Sequence, residues 1–129
     1  MQPKKYDLVA LADRVSAGEV DAVEAAVTFV EGDTRGLWHG RARAKLCRRF
    51  KHVALSEAQR TRVVSAVLGR LVSGQFSEQF RDQLRTALLF DRERTLAAAR
   101  AATQDPKPYI RRFGQWVLSR HAFSAELVA

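Results

Sequence analysis

Apolar side chains recur at a 3.6-residue period in seven successive segments of this 129-residue chain, and no segment sustains a two-residue alternation. That periodicity predicts an all-α fold of about seven helices, because only a helix brings residues three and four apart onto one face. The first stripe is Leu8, Leu11, Ala12 and Val15, stopped at Gly18, and the second is Val23, Ala26, Val27 and Val30, stopped at Gly32. A third helix is expected from about Gly36 to His52, burying Trp38, Ala42, Leu46 and Phe50. Ser56, with Gln59 three residues on, reads as a capping box ahead of Val64, Val67, Leu68 and Leu71, and Gly74 ends that helix. Ser77 is the expected cap of the fifth helix (Phe80, Leu84, Ala87, Leu88), and Asp91 that of the sixth (Leu96, Ala99). The seventh opens with Lys107 as cap and Pro108 as first helical residue, since a residue before proline avoids the helical region. Its stripe is Ile110, Phe113, Gly114, Val117 and Leu118.

Loops of a few residues between these segments predict antiparallel neighbours in one stack. A hydrophobic content of 47% supports one core, so residues 1–129 read as a single domain with frayed ends at 1–5 and 122–129. The one cysteine, Cys47, has no internal disulfide partner. The N-terminal segment interrupts every apolar run with polar residues, unlike a signal peptide. No run approaches the ~20 apolar residues of a membrane span. These features predict a cytoplasmic protein, monomeric and without a membrane partner.

Net charge is +8, unevenly distributed. Residues 1–34 hold three basic and seven acidic side chains, whereas the remainder holds nineteen basic and seven acidic ones. A basic body of this kind attracts acidic proteins or polyanions, although charge also serves solubility alone.

Three of the helices share a skeleton of apolar residue, arginine, and then small or apolar residues at fixed offsets. The copies are Ala42, Arg43, Leu46, Phe50; Phe80, Arg81, Leu84, Leu88; and Ile110, Arg111, Gly114, Leu118, spaced 38 and 30 residues apart. Pro108, Ile110, Arg111, Gly114, Val117 and Leu118 make the fullest copy. The pattern resembles the second helix of a HEAT repeat across roughly Val20 to His121. Only the last copy has the proline, Arg49 stands where a small residue is usual, and the spacing is tighter than the ~40 to 47 residues of a standard repeat. An irregular helical bundle is the alternative architecture. The resemblance implies three stacked hairpins with the first helix as a cap, a concave surface lined by the second helices, and structural ion pairs for Arg43, Arg81 and Arg111.

On the third helix, Arg41, Lys45, Arg48, Arg49 and His52 fall on one face beside the buried stripe. Such a run suits phosphate contact, because arginine's fork matches phosphate geometry; the alternatives are a solvated face or pairing with the acidic first two helices. Trp116 is expected on the outward side of the last helix, flanked by Arg112 and Arg120, as a stacking or interface residue or in intramolecular cation–π packing. Trp38, opening a buried stripe, is expected in the core. Arg41, Lys45, Arg48, Arg49, His52, Arg85, Arg112, Trp116 and Arg120 form the candidate binding set.

Patterns for catalysis are sparse. His39, His52 and His121 have no metal-ligand spacing with Cys47 or each other, and the chain contains neither a Gly-rich phosphate loop after a strand nor a nucleophile elbow. Some HEAT-like proteins are DNA glycosylases, and Trp38, Trp116 and Asp82 are residue types found there, but this chain is about half the length of that fold. The sequence therefore reads as a cofactor-free, non-enzymatic binding or adaptor protein for an acidic protein segment. Nucleic-acid backbone is the alternative ligand.

Overall fold

The computed structural model describes residues 5–35 and 38–128, with side chains described for 7–35 and 38–120. It is all-helical: α1 (Lys5–Ser16), α2 (Val20–Glu31), α3 (His39–Phe50), α4 (Glu57–Ser73), α5 (Phe80–Phe90), α6 (Arg92–Ala102) and α7 (Pro108–Val128). Contacts between helices fall into two rows. In one, α1 packs on α3 and α3 on α5; in the other, α2 packs on α4 and α4 on α6. α4 also meets α5 and α7, and α7 closes the stack against α6. None of these helices is long and apolar enough to cross a membrane among the described residues.

Local chemistry sets most helix ends. Gly18 and Gly74 take positive φ, 78° and 75°, which glycine adopts without a Cβ clash. Ser56 Oγ accepts from the Gln59 amide while Gln59 Oε1 accepts from the Ser56 amide, completing the capping box. The Asp91 carboxylate accepts from the Arg94 amide, and Pro108 is the first residue of α7. One core joins Val15, Val27, Val30, Leu46, Phe50, Leu71, Phe80, Leu84 and Ile110, all essentially inaccessible.

Three sequence expectations are corrected. α3 begins at His39, and Gly36 and Leu37, part of its expected start, lie outside the described residues. Trp38 precedes that helix in the left-handed region (φ 75°), so it leaves the helical stripe and is 38% exposed rather than core. His39 fills the buried position, with its ring edge-on to Phe29 and Nδ1 2.9 Å from Thr34 Oγ1. The buried side of α3 is accordingly His39, Arg43, Ala44, Leu46, Cys47 and Phe50. Ser77 does not cap α5. Phe76, just before it, is drawn into a cluster with Phe80, Tyr109 and Phe113, and α5 starts after Gln79 in the left-handed region (φ 62°).

Close approach between α6 and α7 depends on Gly114. A Cβ there would stand 2.7 Å from the Ala99 carbonyl oxygen and 2.9 Å from the Ala102 methyl. α2 and α4 are clasped differently. Arg62 donates to both Glu24 and Glu31, holding the Glu24 carboxyl below its ordinary value and raising its own guanidinium.

Candidate functional site

α3 and α5 lie side by side, and their arginines meet a few carboxylates between them. Arg41 Nε donates to the Glu78 carboxylate. Seven residues on, Arg48 donates to Asp82 Oδ2 at 2.7 Å and to Gln79 Oε1 at 3.1 Å. The other oxygen of Asp82 accepts from Arg85 at 2.7 Å, so one carboxylate orients two guanidiniums on different helices. Arg85 continues the chain of contacts onto α7: its guanidinium lies 5.1 Å from the Trp116 ring centroid, with Arg81 at 5.5 Å and Arg120 at 5.9 Å.

This arrangement changes the role expected of Trp116. It is half-buried and packs against the core cluster, and its guanidinium neighbours include two from α5. The reason is tertiary, since the Arg81 and Arg85 side chains of α5 reach the face that would point outward on an isolated α7. Intramolecular cation–π stacking is therefore present, and it presents the arginines rather than the indole.

Arg41, Lys45, Arg48, Arg85, Trp116 and Arg120 are thus brought together, Lys45 by lining a groove with Arg41 and Arg48. Arg49 is half-buried, and its Nε is buried without a hydrogen-bond partner among the described residues. His52 is exposed beyond the end of α3, and Arg112 is exposed on α7; no described contact ties either to the group.

The groove lies between α1 and α3 and encloses about 300 Å³. Leu8, Val9, Ala12, Ala42 and Trp38 supply apolar lining, and Arg41, Lys45 and Arg48 the cationic wall. The Arg41 guanidinium sits 5.3 Å from the Trp38 ring. Exposed Trp38, expected in the core, therefore borders the basic face.

Comparison with protein-family models, curated proteins and solved structures gives no match. The chemistry must be read from this chain's own side chains. Among the described residues, no group of three or more His, Cys, Asp and Glu converges as a metal site. Cys47 is wholly buried, and burial pushes its thiol up to about 12, which removes the thiolate needed for nucleophilic attack.

Among the described residues, the arginines at the repeated position do not make the ion pairs that the HEAT resemblance implies. Arg43 donates to the Thr34 carbonyl and hydroxyl at 2.6 and 2.7 Å, with Phe29 across its guanidinium. Arg111 donates to the carbonyl oxygens of Asp105 and Pro106, and Arg81 lies at Trp116. Short loops leave carbonyls within reach of Arg43 and Arg111, and these neutral acceptors replace carboxylates.

Arg70, not singled out by sequence, is only 8% exposed and donates to the carbonyls of Val30 and Gly32 and to Gln83 Oε1. A signal exists: Val63, Val67, Arg70 and Gly74 share a helical stripe at i, i+4, i+7 and i+11, so Arg70 belongs to the buried side of α4.

Proposed function

We propose that this chain is a binding module, without catalysis of its own, for an acidic protein segment that also carries apolar side chains. The observation that carries the reading is the α1–α3 groove, in which an exposed tryptophan and aliphatic lining run directly into Arg41, Lys45 and Arg48. A phosphate backbone needs cations but no apolar floor, whereas an amphipathic acidic segment uses both. Asp82 and Trp116 hold the adjoining guanidiniums in place, which lowers the entropy lost when carboxylates bind them. A short HEAT-like stack, with α2–α3, α4–α5 and α6–α7 as hairpins, is the architecture we favour. The two rows of helix contacts support it.

Fluorescence anisotropy with a labelled acidic-aliphatic peptide and a single-stranded DNA of equal charge tests the reading. The peptide should bind, the double variant Arg41→Glu/Arg48→Glu should abolish binding, and Trp38→Ala should weaken it by about fivefold or more, the threshold of an anchor residue. DNA binding that falls steeply with salt and ignores Trp38→Ala would favour the nucleic-acid alternative instead.

A further inference from the structure

Arg43 and Arg70 are two guanidiniums from different helices, 6% and 8% exposed, lining one cavity of about 370 Å³. The cavity opens between the α2–α3 loop, residues 32–35, and the α4–α5 loop, residues 74–77. Every described acceptor of the two arginines is formally neutral: the carbonyls of Val30, Gly32 and Thr34, the Thr34 hydroxyl and the Gln83 amide oxygen. Those five bonds leave five of the ten guanidinium N–H groups without a described protein acceptor, and Arg43 Nε is buried in that state. Burial disfavours both charges, and Arg70 adds repulsion at Arg43. The one carboxylate in the lining, Asp33, is exposed and lies beyond ion-pair distance of either arginine, so that it favours both charges only at longer range, while Arg35 contributes a third cation.

Two cations sharing a desolvated pocket are stable together when hydrogen-bonded counter-charge joins them. Carbonyl dipoles and the longer-range attraction of Asp33 supply part of that compensation, and no carboxylate reaches the two guanidiniums directly among the described residues. We propose that this cavity binds a small phosphate-bearing anion between Arg43 and Arg70. A phosphate dianion matches the two charges, its several oxygens suit donors arriving from two helices, and the guanidinium fork fits it better than a point charge would. The cavity exceeds a phosphate group in size, leaving room for a small organic remainder. This site is separate from the α1–α3 groove and does not depend on the function proposed for it.

Calorimetry and thermal shift with inorganic phosphate, at ionic strength held constant with chloride, test the assignment on the whole chain. The expected result is saturable binding at one site with a rise in Tm. Gln75→Glu places a carboxylate in the cavity lining without removing a core contact, and it should weaken phosphate about tenfold or more, as should Arg70→Lys. Gln104→Glu makes the same charge change on the α6–α7 loop, Arg94→Gln removes a surface cation, and both should bind phosphate as the wild type does. If Arg70→Lys does not fold, Gln75→Glu still decides. Sulfate should compete, as a tetrahedral dianion. Absence of saturable phosphate binding, binding that survives Gln75→Glu, equal weakening in Gln104→Glu or Arg94→Gln, or acetate binding as tightly as phosphate would each overturn the assignment.

Discussion

Two groups of arginines in this molecule differ in a way that composition does not distinguish. Arg43 and Arg70 are buried and donate to backbone carbonyls and amide or hydroxyl oxygens, whereas Arg41, Arg48 and Arg85 are at least one-third exposed and donate to carboxylates. A buried arginine is part of the framework, because its removal leaves buried acceptors, such as the Val30 carbonyl and Gln83 amide oxygen of Arg70, without their donor. An exposed one is largely free of that role, since surface ion pairs contribute ~0 to 1 kcal/mol. The location of an arginine thus decides whether its loss is felt in folding or in binding.

The largest effect is expected at the buried end of this contrast. Arg70→Met should cost about 3 kcal/mol in urea unfolding, because the Val30 and Gly32 carbonyls and Gln83 lose their donor. A cost below about 1 kcal/mol would place Arg70 with the surface population. Next is Trp116→Ala, expected to cost about 2 kcal/mol, less than a fully buried aromatic because the indole is half-buried. Trp38→Ala should cost under about 1 kcal/mol in the same experiment, reversing the order implied by the helical stripes alone. Gly114→Ala is expected to cost about 1 to 3 kcal/mol by pushing α7 off the Ala99 carbonyl, an effect independent of either arginine population. Arg48→Gln should change stability by less than about 1 kcal/mol while reducing capture of an acidic peptide.

The smallest expected effect is a pH dependence in the Arg62 clasp. Hydrogen bonding from Arg62 lowers the Glu24 carboxyl below its ordinary 4.5, so the stabilisation is fully present above that value and is lost as pH falls through the lower folded one. The Tm difference between wild type and Arg62→Gln should therefore be present at neutral pH and shrink on acidification below the ordinary value. A difference independent of pH would assign the clasp to packing.

Much of the fold was legible because its signals are local. The capping residues Ser56 and Asp91, the first-turn Pro108 and the stripes of α2, α4 and α6 each act within one or two helical turns. Trp38 was misread because the 3.6-residue period was extended across a helix start where φ turns positive, a break that leaves no mark on apolar spacing. Trp116 was left between two readings, outward contact residue and intramolecular cation–π partner, for the opposite reason. Its position in α7 follows the period, but its cover comes from Arg81 and Arg85, about thirty residues earlier in the chain.

The sequence by itself determined seven helices, most of their boundaries, the place of Gly114 on the buried stripe of the last helix, and the concentration of cations on α3. Those properties depend on backbone propensity and nearest turns, which short windows encode. Only the tertiary structure decided which arginines are framework and which are surface, which carboxylates orient them, and which tryptophan borders the basic groove. A charged side chain's role follows from its dielectric surroundings and from partners more than thirty residues away, as Arg48 with Asp82 and Arg70 with Val30 show. Those surroundings exist only once the rows of helices have packed.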